Sequence, residues 1–170
     1  MAILDTDFLS SFLKIGKIRL VLKVLNISYI IIPSTVYEEL KNAPFFEQYT
    51  SLFAFNERDI SKERFVLVKK VNFDGLVGFT EEEKSLLGKG EVGCFILGKE
   101  NDDLILMDDS PARIIAKKKG LKVISVPSFL MYSKMKGIIL LSELKEIIEA
   151  LKAKDYYEFS EEIKESLLKE

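Results

Sequence analysis

The strongest constraint on the fold is a regular alternation of short apolar runs with segments of helical periodicity. The runs are "AIL" at 2–4, "SYIII" at 28–32, "RFVLVKKV" at 64–71, "LILM" at 104–107 and "LKVISV" at 121–126. In the segments between them, apolar residues recur at three- and four-residue spacing, as over 17–25. This alternation predicts an α/β fold with a parallel sheet and helices on both faces.

Several helix boundaries carry recognisable signals. Two pairs stand at capping-box spacing: Thr35 with Glu38, and Thr80 with Glu83. "SPARIIAKKKG" predicts a helix capped by Ser110 and closed by Gly120. Further helices are predicted at 127–136, 142–153 and 158–169, whereas 44–58 and 72–79 show no clear pattern.

The composition removes most of the common catalytic groups. The 170 residues include no histidine and one cysteine, Cys94. These counts exclude a Ser-His-Asp or Cys-His nucleophile, a histidine or thiolate zinc site and an internal disulfide. Any acid–base or metal chemistry must therefore be carried by carboxylates, whose oxygen atoms suit Mg²⁺ or Mn²⁺.

Length and charge place the chain in a broad class. The composition shows no break, which predicts one domain. The apolar runs are far shorter than the ~18 residues of a membrane helix. No basic segment followed by an apolar one opens the chain, so we expect a cytoplasmic protein without a membrane partner. The net charge of −2 gives no overall nucleic-acid signature, and solvated helix faces explain either local Lys/Arg cluster taken alone.

Acidic residues follow two of the predicted strands. Asp5 and Asp7 come after the first strand, and Asp108 and Asp109 come after the fourth. In parallel sheets, ligands bind beyond the carboxyl ends of strands where the strand order reverses. If these strands are neighbours, their carboxylates converge there. Asp5 or Asp7 could instead cap the following helix, but a cap at Ser110 leaves both later acids unexplained.

Two further acidic positions lie on predicted helices. Glu38 has a local role in the capping box, which leaves Glu39 without one, although a solvated pair is an equal explanation for both. Glu91 lies early in a helix, where the helix dipole alone stabilises it by about 0.3–1 kcal/mol. Three glycines around it allow close backbone approach: Gly88, Gly90 and Gly93.

Clustered carboxylates would need compensation. Two unit charges ~4 Å apart at an effective dielectric near 20 repel by about 4 kcal/mol. A whole domain is stable by only about 5–15 kcal/mol. Three or four ionised acids in one place therefore require proton uptake or a bound cation.

The order and spacing of these acids resemble those of the PIN-domain ribonucleases, which include the VapC-type toxins. The matching segments are "ILDTD" with Asp5, "VYEEL" with Glu39, "GKGEVGCFIL" with Glu91, and "LILMDDSPAR" with Asp108 or Asp109. Glu38 remains an alternative to Glu39. The resemblance implies a three-layer domain over 1–137 whose five parallel strands have the order 3-2-1-4-5. A helical extension over 138–170 would pack on the same domain.

The resemblance also implies a function. It is that of a Mg²⁺- or Mn²⁺-dependent endoribonuclease, in which the cation activates water for attack on a phosphodiester. Asp5, Glu91 and the Asp108/Asp109 pair would hold the ion, and Glu39 would complete the pocket. RNA is the expected partner, guided by Arg113, Lys117, Lys14 and Lys17. A toxin role would add an antitoxin partner, and dimerisation is common in the family.

Two alternatives stay open on the sequence. "LDTDFLS" resembles the D-x-D-x-T signature of haloacid dehalogenase-type phosphatases, in which Asp5 would be the nucleophile and Asp7 the acid–base group. Against it, Leu9 occupies the threonine position, and Glu39 and Glu91 have no role. A PIN-like scaffold that binds a partner without turnover is the second alternative.

Overall fold

A parallel sheet forms the centre of the protein in the computed structural model, which describes residues 1–73 and 78–169. Part of the predicted irregular stretch 72–79 therefore lies outside the described residues. Within the described ranges the strands are β1 (Ala2–Leu4), β2 (Ile30–Pro33), β3 (Phe53–Ala54), β4 (Val66–Lys69), β5 (Leu104–Leu106) and β6 (Val123–Ile124). Their order across the sheet is β3-β4-β2-β1-β5-β6.

The expected strand order is confirmed, with one addition. The five predicted strands are β1, β2, β4, β5 and β6, and they lie in the order 3-2-1-4-5. The extra strand β3 extends the edge beside β4, where Phe53 pairs with Val66. Two residues are too few to show a strand period, so tertiary pairing with β4 is what makes this segment a strand.

The strands are short apolar runs because both faces of the sheet are covered. All three residues of β1 are buried, as are the four of β2. Parallel sheets packed between helix layers show this continuous burial instead of alternation. β1 lies between β2 and β5, with Ile3 opposite both Ile31 and Ile105. β2 and β4 lie on one side of β1, and β5 and β6 lie on the other. The strand order therefore reverses at β1, which creates a switch point at the carboxyl end of this strand.

Helices and short 3₁₀ helices lie between and after the strands of the described chain. The helices are α1 (Thr6–Lys14), α2 (Ile18–Leu25), α3 (Ser34–Leu40), α4 (Glu81–Ser85), α5 (Lys89–Asn101), α6 (Ser110–Lys118), α7 (Val126–Met135), α8 (Leu141–Asp155) and α9 (Glu161–Leu168). Short 3₁₀ helices span Phe46–Leu52 and Glu57–Asp59. No described helix is long and apolar enough to cross a membrane.

The two capping-box predictions have opposite outcomes. Thr80 and Glu83 form the box at α4, each side chain accepting from the other residue's backbone N–H. The Thr35 box is wrong, because Pro33 occupies the N-cap position and Thr35 already lies within the first turn of α3. Glu38 pairs instead with Lys41 at 2.7 Å.

The predicted cap of α6 is also wrong. Asp109, not Ser110, is the N-cap residue, and its Oδ1 accepts the backbone N–H of Ala112 at 2.7 Å. Ser110 is the first helical residue, so its side chain cannot cap. The C-terminal signal is confirmed, since Gly120 has a φ of +75° directly after the C-cap residue.

The core is continuous from the sheet to the C-terminal helices. The rings of Phe8 and Phe12 stack at 4.8 Å, and Phe129 of α7 packs edge-on against both. α8 packs on α1, and α9 packs on α7. α5 lies across β2, β1 and β5. This helix brings residues from the middle of the sequence to the carboxyl end of β1.

Candidate functional site

The carboxyl ends of β1 and β5 lie side by side. Leu4 is opposite Leu106, and the backbone N–H of Asp5 donates to the Leu106 carbonyl at 3.1 Å. The chain then leaves β1 through Asp5 and leaves β5 through the Asp108-Asp109 pair. The topology therefore brings these acids to one edge of the sheet.

Asp5 is a buried carboxylate at the centre of this edge. It is 2% exposed and caps α1, with Oδ1 accepting the N–H of Phe8 at 2.8 Å. Its Oδ2 accepts the N–H of Asp108 at 3.4 Å. Burial raises the pKa of Asp5 well above its ordinary value, and the nearby charges of Asp7 and Glu91 raise it further. Its backbone hydrogen bonds only partly oppose this shift.

Glu39 and Glu91 come together because a glycine separates their helices. A Cβ added to Gly90 would lie 2.9 Å from Oε2 of Glu39 and 3.3 Å from Oγ1 of Thr6. The hydroxyl of Thr6 donates to the same Glu39 oxygen. Any residue larger than glycine would fill the space that the Glu39 carboxylate occupies beside the first turn of α5.

The charges of Asp5, Asp7, Glu39, Glu91 and Asp109, which together we call the acidic cluster, are coupled. Burial raises the pKa of Glu91, and the charges of Glu39, Asp109 and Asp7 add to the rise. Burial also raises the pKa of Asp7. The negative charges of four other acids raise it further: Asp108, Asp109, Asp155 and Glu39. Each perturbed acid thus lies in the field of several others, as functional sites commonly show.

Asp108 and Asp109 face different surroundings. Both oxygens of Asp108 are engaged: Oδ1 accepts the N–H of Val126 at 3.0 Å, and Oδ2 accepts the hydroxyl of Tyr157 at 2.6 Å. Arg113 lies 3.8 Å from Oδ1 and also donates to the Asp108 carbonyl. Asp109 uses Oδ1 for its cap and contributes to the field at Glu91. Of the pair, Asp109 is therefore the acid whose second oxygen accepts no hydrogen bond from the described residues.

The donor chemistry of the cluster fits a hard divalent cation. All of the side chains are carboxylates, which are the ligands that Mg²⁺ and Mn²⁺ prefer. In residues 1–73 and 78–169, no group of three or more acidic or cysteine side chains forms a ready-made metal site. A cation bound by these acids would offset their mutual repulsion.

The predicted RNA-guiding cations are spread over two regions. Arg113 lies next to the cluster through Asp108, and Lys117 is exposed on the same helix. Lys14 pairs with Asp155 at 2.6 Å, and Lys17 pairs with Glu143 at 3.2 Å. Lys14 and Lys17 therefore connect the end of α1 and the start of α2 to α8, whereas Arg113 contacts Asp108.

Sequence reasoning missed three contributors to the site. The sequence predicts Asp7 only as a possible helix cap or as the acid–base group of the phosphatase alternative, although its two-residue spacing from Asp5 is also a signal for the acidic site. Asp155 acts on Asp7 from the end of α8, and Thr6 holds Glu39. Nothing in the local sequence around Asp155 points to β1, because its proximity depends on how α8 packs on α1.

The geometry agrees with the comparison to known families. A family model described as a PIN domain matches residues 1–170. The chain therefore belongs to the PIN-domain family, whose members are generally nucleases and typically use a divalent metal ion. Comparison with curated proteins gives no match, and comparison with solved structures gives none.

Proposed function

We propose that this protein is a divalent-cation-dependent endoribonuclease that hydrolyses RNA phosphodiesters at the acidic cluster. The observation that carries the proposal is the convergence of acids from four separate segments on the carboxyl end of β1. Their mutual repulsion is a stability cost that a purely structural edge has no reason to retain. A bound Mg²⁺ or Mn²⁺ would offset that cost.

We assign the roles within the site as follows. Asp5, Glu91 and Asp109 would hold the cation, which would supply an activated water and stabilise charge on the phosphate oxygens. Glu39, fixed by Thr6, would complete the pocket beside Glu91. Arg113 would neutralise a phosphate of the RNA backbone. Asp108 would act indirectly: its carboxylate holds the start of α7 and Tyr157, and Asp109 beside it is the member of the pair whose charge acts on Glu91.

The phosphatase alternative has less support. A phosphoryl-accepting carboxylate needs open approach for in-line attack, whereas Asp5 is 2% exposed and accepts two backbone N–H groups. Glu39 and Glu91 would also have no role in that chemistry. The family match favours the nuclease.

The decisive experiment is cleavage of a labelled structured RNA with Mn²⁺, with Mg²⁺ or with chelator. Glu91→Gln and Asp5→Asn should each reduce metal-dependent cleavage by about 100-fold or more, because they remove charge that would hold the ion. Glu100→Gln is the matched control, since Glu100 lies on the same helix as Glu91 but at its exposed far end. That variant should cleave like the wild type.

Thermal unfolding provides a readout that does not depend on choosing the right RNA. A cation at ten times its Kd should stabilise the fold by about 1.4 kcal/mol, or about 3–6 °C in Tm. Asp5→Asn should lose this shift. A cation shift without cleavage of any RNA or of a phosphate monoester would favour the scaffold alternative. Monoester turnover that survives Glu91→Gln would favour the phosphatase.

A further inference from the structure

A second concave surface lies immediately beside the acidic cluster. It is a pocket of about 550 Å³ between α7, α9 and the segment that joins α8 to α9. We call it the C-terminal pocket. The residues that the argument uses are Asp108, Arg113, Ser128, Met131, Tyr132 and Tyr157. Its volume is within the range of small-ligand sites and is sufficient for one nucleotide.

The C-terminal pocket is continuous with the proposed catalytic site. Asp108 and Arg113 line both regions, and the carboxylate of the next residue along the chain, Asp109, adds to the negative charge at Glu91. The Arg113 side chain is held there by its bond to the Asp108 carbonyl. A guanidinium group has five N–H donors, so Arg113 retains donors for a phosphate group. A phosphate between the two sites would therefore meet a fixed positive charge.

The walls of the pocket have the chemistry of a base-binding site. Tyr132 lines the pocket and is 41% exposed, and its chain neighbour Met131 also lines it. Ser128 and Tyr157, which carry hydroxyl groups, are further lining residues. Flat aromatic and thioether surfaces bind the faces of a nucleobase, and hydroxyl groups can bind its edge.

We propose that the C-terminal pocket binds one nucleobase of the RNA, next to the phosphodiester that lies at the acidic cluster. This inference rests on the proposed nuclease function for the identity of its ligand. Arg113 binds the intervening phosphate, and Tyr132 stacks on the base. The pocket would then fix the position of the RNA strand relative to the acids without contacting the reacting atoms.

The test is binding of nucleoside 5′-monophosphates in the presence of chelator, observed by saturation-transfer NMR. We expect saturation to be strongest on base protons. Tyr132→Ala should weaken binding by about 5- to 100-fold, because it removes one stacking contact. Ribose 5-phosphate, which lacks a base, should bind equally to the wild type and this variant. The matched control is Phe55→Ala, which removes an exposed aromatic ring. Phe55 follows β3, the edge strand at the other side of the sheet from β6.

Three results would overturn the proposal: no saturation of base protons, equal weakening by Phe55→Ala, or a wild-type dimer that Tyr132→Ala dissociates. The last would mean that a second copy of the chain covers the pocket. The binding assay needs neither a cation nor cleavage, so it separates the two proposals. RNA cleavage without base binding rejects only the pocket. Base binding that depends on Tyr132, without cleavage, rejects only the nuclease.

Discussion

Two glycines one turn apart on α5 show how differently the site and the core are built. Gly90 faces the acidic cluster, where an added Cβ would meet the end of the Glu39 side chain at 2.9 Å. Gly93 faces the core, where an added Cβ would meet the Pro33 ring at 2.7 Å and Oγ1 of Thr35 at 2.8 Å. The neighbour at the site can rotate away, whereas the neighbours in the core belong to a strand end and the first turn of a helix. Close approach at the site therefore serves the position of a carboxylate, and close approach in the core serves packing.

Substituting the two glycines separately gives the largest expected effect. Gly93→Ala should lower the free energy of unfolding by about 1–3 kcal/mol, because the added methyl group overpacks a rigid contact. Gly90→Ala should change it by less than about 1 kcal/mol, because alanine favours the helix and Glu39 can move. Denaturant unfolding measures both values.

The effects of the two glycine substitutions on RNA cleavage should be the reverse of their effects on stability. Gly90→Ala should impair RNA cleavage despite its stability, because Glu39 is displaced from Glu91. Gly93→Ala should retain cleavage at temperatures where it is folded. If Gly90→Ala were the less stable variant and cleaved normally, the distinction between site and core on this helix would be incorrect.

The two neighbouring aspartates sharpen the same comparison. Asp108→Asn should lower stability by about 1–2 kcal/mol, because an amide cannot accept at both positions where the Val126 N–H and the Tyr157 hydroxyl now donate. Asp109→Asn should keep most of its stability, since asparagine caps a helix about as well as aspartate. It should nevertheless reduce cleavage by about 100-fold.

Denaturant unfolding and RNA cleavage, measured on both aspartate variants, show which residue stabilises the fold and which one acts in cleavage. Tyr157→Phe is the control, because it removes the hydroxyl donor to Asp108 and leaves the carboxylate intact. Tyr157→Phe should lose part of the stability that Asp108→Asn loses. Full cleavage by Asp109→Asn together with complete loss in a folded Asp108→Asn protein would reverse the assignment.

The smallest effects are expected at the two threonines that share one sequence pattern. Thr80→Ala should cost about 0.5–2 kcal/mol, because it removes the cap of α4. Thr35→Val should be neutral or slightly stabilising, since the buried Oγ1 of Thr35 has no hydrogen-bond partner among the described residues. Thermal unfolding of the two variants compares them directly. A clear loss of stability in Thr35→Val would show that its hydroxyl is satisfied in solution.

The alternation of apolar runs and helical segments determined the α/β fold, since parallel strands buried on both faces need continuous apolar sequence. The sheet order came from the resemblance to PIN domains, not from the alternation. The order of the acids likewise pointed to the carboxyl ends of β1 and β5. Other features depended on partners distant in sequence. β3 exists because β4 lies beside it, and Asp155 reaches Asp7 because α8 packs on α1.

The choice between adjacent residues was also made by tertiary structure. Thr35 and Thr80 carry the same capping pattern, yet Pro33 at the end of β2 places Thr35 inside its helix. Asp108 and Asp109 are equivalent in the sequence, and the positions of Val126 and Tyr157 separate their roles. Local sequence specifies which groups are available and which secondary structure they favour. Hydrogen-bond partners and electrostatic fields are set by neighbours in space, so only the folded chain decides which carboxylate is structural and which is free to act.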